Sequence, residues 1–483
     1  MTGWQPAGST PWSGWLLSLL LALPWLQPWA PGPEPNTVPL LVSWGALATV
    51  LALGRWPDAR TLAKAWAVAA VLSSLIGLLQ YFGQAAALSG WVHVPAGAGE
   101  AMGNLRQRNQ LATLIGIGAV AVLWWQAQGL RRGHALWMLA VLALGHAATG
   151  SRTGLLQWLV LLPALLVLWR VCQGPASAAQ RWSWPLLLWA MGLDLLAGWL
   201  LPEVLNGWTG ASASSALARM SESHGCGSRA VLWANVWHLV LQKPWLGWGW
   251  GELKYAHYMT SYSGPRFCEI LGNAHNLPLH LAFVFGLPLT LGLGAGVLAL
   301  LLRAKPWRLQ GPADSLAWGA VAMIGLHSLL EFPLWYGPFQ LAALGALLLL
   351  WPQASAWLQQ RMFLLRAAGL AGLALVVLLG VDYARVRQIY LPAAQRLTLW
   401  RDDAWQVAQQ TCCFERAVEF AVFTSTPVTA DNAQVQLQRG LAVLHYSPEP
   451  RVIDRLIESA RLSGQDALAD WHQRQRALVY PGR

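Results

Sequence analysis

Long apolar stretches recur along this chain, separated by shorter polar segments. They lie at about 12–30, 37–53, 64–83, 110–126, 134–149, 153–170, 183–201, 276–302, 314–330, 337–352 and 363–381. Most approach the roughly 20 residues that an α-helix needs to cross a bilayer. Because backbone N–H and C=O groups find no water in the hydrocarbon layer, helices are expected in such runs. The pattern predicts an all-α, polytopic membrane protein of about 11 transmembrane helices.

Lysine and arginine residues fall on every second connection between these stretches. The basic connections carry Arg55, Arg60 and Lys64, then Arg131 and Arg132, then Arg170 and Arg181, then Arg303, Lys305 and Arg308, and finally Arg361 and Arg366. Because positively charged short loops stay in the cytoplasm, these connections orient the chain in the membrane. The opposite connections are nearly free of positive charge. We therefore expect Arg106, Arg108 and Arg152, which lie on that side, to be functional.

Two segments are long enough to form structure outside the bilayer. The alternation predicts helices 1–7 in residues 1–201, a large external loop in 202–274, helices 8–11 in 275–382 and an external helical domain in 383–483. The first apolar stretch has no basic start and no obvious cleavage site, so we expect it to be a retained helix.

The C-terminal segment has a helical pattern of apolar residues. Its members recur three or four positions apart, as in Val452, Leu456 and Ala460 and in Leu437, Leu441 and Leu444. This spacing is typical of helices that pack on one face. Turn-forming residues interrupt the pattern, which indicates short helical hairpins.

The composition agrees with a membrane protein. Hydrophobic residues make up 55% of the chain and charged residues only 11%, whereas soluble domains carry about a quarter charged residues. The net charge of +11 would also suit a nucleic-acid partner. Orientation and anionic lipid headgroups account for the basic loops instead, so we expect membrane lipids and no nucleic acid as partners.

The cysteines and histidines give little support to a metal enzyme. The chain has five cysteines and no CxxC or HExxH pattern, so neither a zinc site nor another metal or cofactor is expected. Cys226 and Cys268 both fall in the large external loop, where an oxidising compartment would permit a disulfide. Two separate thiols remain the alternative.

Polar motifs gather on the external side of the predicted bundle. They comprise Asn104 to Asn109, Gly150 to Gly154 with Ser151-Arg152, Ser228-Arg229, Asn273 to Asn276, and His327 to Tyr336. Arginines offer planar, permanently charged groups that suit phosphate oxygens. A histidine beside them could accept a proton near neutral pH. The threading predicts that these residues lie near one depth, with Arg152, Arg229 and His275 in one pocket.

These motifs, in this order, resemble the O-antigen ligase (WaaL) and Wzy polymerase superfamily. They comprise Gly-Asn-x-x-Gln-x-Asn from Gly103, Ser151-Arg152, Arg229 followed by Pro244-x-x-Gly247-x-Gly249, His275-Asn276, and the string from His327 to Tyr336. The likeness is greatest to the bacterial protein O-oligosaccharyltransferases of the PglL or PilO type. It runs from about residue 100 to 340, and the long tail fits that branch.

The resemblance implies roles for individual residues. It implies that His275, Arg229 and Arg152 are catalytic, and that Gln107, Asn109, Arg106, Asn276, His327 and Glu331 bind substrate. Whether His275 or His327 is the base stays open. The family pattern of His-Asn, nine residues and Gly-x-x-Gly is met at Gly286, but Leu289 replaces its second glycine.

The implied reaction is en bloc transfer of a glycan from undecaprenyl diphosphate to Ser or Thr hydroxyls of a pilin-like protein. It implies a metal-independent, inverting oligosaccharyltransferase in the bacterial inner membrane, with its active site facing the periplasm. The donor and the acceptor protein are then the partners. Within the family, the alternatives are an O-antigen ligase that transfers to lipid A-core and a polymerase that extends glycan chains. Outside it, the alternatives are a polytopic transporter and a structural protein of a pilus system.

Overall fold

The computed structural model describes residues 11–173, 182–213, 215–216 and 225–481. Arg181, counted above among the basic connections, and part of the predicted 202–274 loop lie outside these ranges. In the described part of the chain all regular elements are helical, apart from one isolated bridge between Ser89 and Val92. The predicted all-α class is confirmed.

Every predicted apolar stretch coincides with at least one helix. The helices are Pro11–Leu26, Thr37–Ala52, Ala59–Tyr81, Arg108–Ala127, Arg132–Thr149, Arg152–Leu156, Leu162–Gln173, Trp184–Thr209, Leu277–Phe285, Leu287–Ala304, Asp314–Leu330, Gly337–Leu350 and Met362–Arg387. A π-helical turn, Gln157–Leu161, joins the sixth helix to the seventh. The remaining helices are Arg229–Gln242, Leu253–Met259, Pro352–Gln359, Ala404–Ala408, Glu415–Ser425, Ala433–Tyr446, Pro450–Leu462 and Asp466–Val479.

Several of these helices suit a membrane. Among the described residues, six are long and apolar enough to cross it, namely Ala59–Tyr81, Arg108–Ala127, Arg152–Cys172, Trp184–Thr209, Leu287–Ala304 and Met362–Tyr390. Gly337–Leu350 and Pro352–Gln359, bent by 99°, would together make a seventh. Three shorter apolar helices, Gly14–Leu26, Thr37–Ala52 and Asp314–Leu330, fall below the required length. The protein is thus a multi-pass membrane protein, and the count of about eleven spans stays a prediction.

The chain forms two compact units. The first contains Met1–Ala30, Pro35–Glu222 and Leu301–Val377, and the second contains Pro31–Glu34, Ser223–Leu300 and Leu378–Arg483. In the first unit, Arg108–Ala127 is largely enclosed by its neighbours. Close packing depends on small residues, because an added Cβ at Gly118 would lie 2.3 Å from the Cβ of Ala70. Small residues let helix backbones approach closely where lipid supplies no hydrophobic drive for association.

The second unit departs from the predicted eighth span. Residues 276–302 are not one helix but two, Leu277–Phe285 and Leu287–Ala304, divided at Gly286. Ala282, Phe283 and Val284 of the first are buried, whereas Leu287–Ala304 has no buried residue. The hydrophobicity of both halves is continuous in sequence, which is why the break is invisible in the pattern.

The C-terminal helices pack around an apolar core in the second unit. Val452, Leu456 and Ala460 are fully buried, as their spacing predicts. Leu437 and Leu444 are buried as well. Leu441 is 39% exposed, so the predicted stripe is wrong at this position.

Candidate active site

Two helices begin with the same pair of residues. Ser151 caps the helix that starts at Arg152, and Ser228 caps the helix that starts at Arg229. The hydroxyl of Ser151 accepts a hydrogen bond from Gly154 N at 3.0 Å, and that of Ser228 accepts one from Val231 N at 3.4 Å. We call these the two Ser-Arg starts; the first lies in the first unit and the second in the second unit.

An arginine at the first helical position is electrostatically unfavourable by itself. The N-terminal end of a helix carries partial positive charge, and acidic side chains are the ones that stabilise it. Neither helix has an acidic residue in its first turn. Backbone N–H groups and a guanidinium at such an end are suited to bind an anion, phosphate above all.

The first Ser-Arg start is held by a chain of polar side chains. The Ser151 hydroxyl donates to Asn109 Oδ1 at 2.7 Å, and Asn109 Nδ2 donates to Glu331 Oε1 at 3.0 Å. Asn109, Ser151 and Glu331 come from three motifs that lie far apart in sequence. The structure thus brings together the Gln-x-Asn element, the Ser-Arg pair and the string that begins at His327.

His327, whose backbone is hydrogen-bonded to that of Glu331, is fully buried. Its ring meets Phe339 edge to face with centroids 5.7 Å apart, and its carbonyl oxygen accepts the Glu331 N–H at 2.7 Å. The position suits support of Glu331 better than a reacting base, because the side chain has no exposure.

A second buried pair lies close to the first Ser-Arg start, beside Gly154. His146 Nδ1 and Asp194 Oδ1 are 2.7 Å apart, and both side chains are 3% exposed. Gly154 rests against the ring, because an added Cβ there would meet His146 Nε2 at 2.5 Å. The pair lines a largely apolar cavity of about 370 Å³. Asp194 is a lone acidic residue within a predicted apolar stretch, and nothing in the sequence showed that His146 is its partner.

Arg106 and Gln107 line a smaller cavity in the same unit. Its volume is about 260 Å³, and Asn36, Gln110 and Tyr336 also line it. Arg106 has a left-handed backbone, with φ +60°, and its Nη2 donates to Pro28 O at 2.6 Å. Burial lowers the pKa of Arg106 and raises the pKa of Tyr336, while burial and the Arg106 charge lower the pKa of His93.

The neighbouring residues have structural partners. Arg108 forms an ion pair with Glu100. Asn104 Oδ1 accepts a hydrogen bond from His93 N at 2.9 Å, and Asn104 Nδ2 donates one to Trp91 O at 3.0 Å. Asn104 thus joins two loop segments. Gln80 was not predicted to support this loop, although its Oε1 accepts hydrogen bonds from Met102 N at 2.9 Å and Gly103 N at 2.7 Å. The sequence feature that could have indicated this role is a glutamine inside a predicted apolar stretch.

A disulfide holds the segment around the second Ser-Arg start. Cys226, two residues before Ser228, is bonded to Cys268, with Cα atoms 5.4 Å apart. Of the two alternatives left open by the sequence, the structure has the disulfide. One turn after Arg229, Trp233 Nε1 donates to Ala274 O at 3.1 Å. Since residues four apart share a helix face, Arg229 lies on the side that meets the segment before His275.

His275 has an unusual backbone within this segment. Its φ is +49°, and its N–H donates to Asn273 Oδ1 at 2.9 Å. Left-handed conformations are costly for residues other than glycine and cluster at functional sites. Asn276 caps the following helix by accepting Leu279 N at 2.9 Å, and buried His280 Nδ1 accepts Ala274 N at 3.4 Å. Hydrogen bonds on both sides thus hold half-buried His275.

The Pro-x-x-Gly-x-Gly element docks on the helix that follows His275. Trp248 N donates to Phe283 O at 2.8 Å, and Gly249 N donates to Val284 O at 3.1 Å. Leu287 N donates back to Pro244 O at 2.7 Å. These backbone contacts bind the element to the end of Leu277–Phe285.

Two glycines make this docking possible. Gly247 and Gly286 have φ of +70° and +83°, and an added Cβ at Gly286 would lie 2.3 Å from Trp245 O. Gly286, the glycine of the His-Asn motif, therefore serves backbone contact. Leu289, which replaces the second glycine, is 50% exposed.

The structure leaves one expectation untested. Arg152 belongs to the first unit, whereas Arg229 and His275 belong to the second. The predicted meeting of all three in one pocket stays a prediction.

Three known families match segments of the chain that contain the predicted site residues. The family described as protein glycosylation ligase matches residues 101–125, the O-antigen ligase family matches 137–294, and the family described as virulence factor membrane-bound polymerase, C-terminal, matches 315–483. The first match contains Arg106, Gln107 and Asn109, the second both Ser-Arg starts and His275. The third contains His327, Glu331 and the C-terminal helices.

The chain is similar to the O-antigen ligase and polymerase superfamily.

A curated relative supports its predicted PglL type. The chain is 24% identical over 290 residues to a General O-oligosaccharyltransferase of Acinetobacter baylyi, in a match that covers 56% of this chain. The chain spans only about half the length of that relative, since the match covers 47% of it. These matches confirm the resemblance predicted from the motifs and give the transporter alternative no support.

Proposed function

We propose that this protein is an oligosaccharyltransferase that moves a glycan en bloc from undecaprenyl diphosphate to Ser or Thr hydroxyls of a pilin-like protein. Its site faces the periplasm from the bacterial inner membrane. The observation that carries the proposal is the pair of Ser-Arg starts, within a chain that matches ligase families and a named O-oligosaccharyltransferase.

The leaving group explains why arginines stand at helix starts. As the glycan departs, the lipid diphosphate develops negative charge. Arg152 and Arg229 stabilise this charge together with the N–H groups of their first helical turns, and no metal is required. The otherwise unfavourable position of both arginines is then compensated by the bound anion.

His275 serves as the base in this proposal. A Ser or Thr hydroxyl is a weak nucleophile, and a positioned histidine can accept its proton as it attacks the anomeric carbon. His275 is partly exposed, whereas His327 is fully buried. This difference favours His275 as the base and His327 as support for Glu331. Direct attack on the donor inverts the anomeric centre.

The polar groups of the first unit bind the substrates. Arg106 and Gln107 line a cavity whose polar side chains suit sugar hydroxyls, and Asn109 and Glu331 position the Ser151 turn. Asn276 caps the helix after His275 and so holds this residue in place.

Transfer to lipid A-core is the second candidate. It is supported by the matches at residues 137–294 and 315–483, whose families are named for an O-antigen ligase and a polymerase. The acceptor separates the candidates. Cells that make a defined undecaprenyl-linked glycan are compared with and without this chain by intact mass of candidate pilins. We expect pilin heavier by one glycan; unchanged pilin with newly decorated lipopolysaccharide would establish the ligase instead.

A matched pair of variants controls for expression and folding. His275→Ala should abolish the pilin mass shift, whereas His238→Ala, on the exposed face of Arg229–Gln242, should preserve it. Undiminished product from His275→Ala would exclude this histidine as the base.

A further inference from the structure

Two adjacent cysteines lie on the surface of the second unit, outside the candidate active site. Cys412 and Cys413 are both exposed thiols, and their sulfur atoms are 3.2 Å apart. Nothing in the proposed glycan transfer uses them. We infer that Cys412 and Cys413 form a reversible disulfide between neighbours in the sequence, a covalent modification site on the C-terminal domain.

A buried carboxylate holds the loop so that both sulfurs lie together. Asp382, 5% exposed, accepts hydrogen bonds at Oδ2 from Thr411 Oγ1 at 2.9 Å and from the Cys412 and Cys413 N–H groups at 3.2 Å. The Thr411 hydroxyl also accepts Phe414 N at 3.1 Å. The loop is thereby ordered before any bond forms between the sulfurs.

The same unit already contains a disulfide. Cys226–Cys268 forms and persists where the environment is oxidising. Cys412 and Cys413 belong to that unit and are exposed, so the oxidant that serves the first bridge also reaches them. Two adjacent exposed thiols are therefore open to oxidation in such a compartment.

The oxidation balances with a protein disulfide as the oxidant. The Cys413 thiolate attacks one sulfur of the oxidant's disulfide, and a mixed disulfide forms as the other oxidant sulfur leaves. Cys412, whose Sγ lies 3.4 Å from Asp382 Oδ2, then loses its proton to water and attacks the Cys413 sulfur. The second oxidant sulfur leaves. Two thiols have lost two electrons and two protons, and the oxidant has become a dithiol.

The Cys412 thiol is suited to be the second sulfur. Hydrogen bonds to Cys413 and then to Asp382 raise the pKa of Cys412 to about 11, so Cys412 keeps its proton while the Cys413 thiolate attacks first. The raised pKa also disfavours metal binding, since only the thiolate is a ligand. A carboxylate oxygen and the two sulfurs lie within 4.8 Å of one another, but Oδ2 is already engaged by several donors.

This bridge should open more easily than Cys226–Cys268. A trans peptide fixes neighbouring Cα atoms about 3.8 Å apart, below the usual disulfide range of roughly 4.4–6.8 Å, and the resulting strain makes the bond more reducible. The bridge also closes almost no loop, whereas Cys226–Cys268 spans a sequence separation of 42 and constrains the unfolded chain.

Counting free thiols tests the inference. The full-length protein is purified from membranes, quenched in acid, denatured and labelled with N-ethylmaleimide, and the intact mass is measured. Two bridges among five cysteines leave one label, on Cys172. A mild dithiol before denaturation should raise the count to three, and a strong reductant in denaturant should raise it to all five. Three labels without reductant, with or without bound metal, would overturn the inference.

Single variants identify the partners. Cys412→Ser and Cys413→Ser should each give two labels, and peptide mapping of the wild type should show the sulfurs of residues 412 and 413 joined to each other. A disulfide-linked dimer on a non-reducing gel, or a bridge from either residue to Cys172, would contradict it. These readouts are independent of glycan transfer, so they stand or fall apart from the proposed function.

Discussion

The two Ser-Arg starts share their local chemistry and differ in what fastens them. Around Arg152, a chain of side-chain hydrogen bonds through Asn109 and Glu331 holds the capping serine. Around Arg229, a disulfide and backbone docking hold the surrounding segment. The first arrangement depends on buried polar groups inside a helical bundle, and the second on covalent closure and glycine contacts.

In the proposed function, the same anion-binding arrangement is built with two kinds of support. Buried polar groups cost several kcal/mol when left without a partner, so the first start is vulnerable to changes of charge or hydrogen bonding. The second is vulnerable to reduction and to any side chain added at its glycines. Perturbations of one kind should therefore affect one start and spare the other.

The largest effect is expected from the arginines themselves. Arg152→Gln and Arg229→Gln should each lower the rate of glycan transfer by about 10²- to 10³-fold, the usual loss when one preorganised donor to a developing anion is removed. The rate is measured as glycosylated pilin formed per unit time. Lysine at either position should retain part of the activity, because it keeps the charge but not the planar fork. Arg131→Gln, exposed on a connection predicted to be cytoplasmic, serves as the control.

Breaking the covalent support should have the next largest effect. Cys226→Ser with Cys268→Ser should lower the free energy of unfolding of the second unit by about 2–4 kcal/mol. Thermal unfolding followed by intrinsic fluorescence measures this loss. Replacing Cys172 by Ser, a thiol outside both bridges, should leave the transition unchanged. An unchanged transition in the double variant would show that the bridge does not stabilise the Arg229 segment.

Glycine docking gives a related prediction for the same start. Gly286→Ala should lower both the unfolding midpoint and the transfer rate, because φ of +83° is strained for alanine and the added Cβ would meet Trp245 O at a cost of about 1–3 kcal/mol. Gly264→Ala, where the added Cβ would have no neighbour within 4 Å, is the matched control. Equal behaviour of the two variants would contradict the backbone docking.

A charge change probes the first start. Asn109→Asp should reduce transfer about tenfold, because it places a carboxylate beside Glu331 and removes a hydrogen bond to a charged group. Adding Glu331→Gln should restore most of the rate, since the new glutamine amide could donate to the new carboxylate while Ser151 still donates to it. Failure of the second substitution to restore any activity would argue against the chain from Glu331 to Ser151.

The smallest predicted effect is on the pH dependence of the stability of the second unit. Burial and then the Arg266 charge lower the pKa of His257 to about 3, while Tyr262 and Phe267 satisfy its ring. An unfolded histidine titrates near 6.5. Between these values the unfolded state binds a proton that the native state does not, so stability falls as pH drops from about 6.5 towards 3. His257→Gln should flatten this dependence in thermal unfolding, whereas His238→Gln should leave its slope intact.

The sequence predicted the helical stretches and singled out the polar motifs, but not the contacts that support them. Helical stretches follow from local hydrophobicity, and the motifs follow from residue order. The Asn109–Glu331 bond joins residues 222 positions apart, which periodicity does not reveal. The break at Gly286 was hidden because both flanking segments are apolar. His146 remained undetected because a single histidine in an apolar helix gives no indication of its partner.

The most direct measurement is transfer by purified components. The chain is reconstituted in vesicles with an undecaprenyl-diphosphate-linked glycan and a pilin, and glycosylated pilin and released undecaprenyl diphosphate are quantified together. We predict equal amounts of both products from the wild type without added metal, and neither from His275→Ala. Absence of glycosylated pilin from the wild type, with transfer only when lipid A-core is supplied, would contradict protein glycosylation as its function.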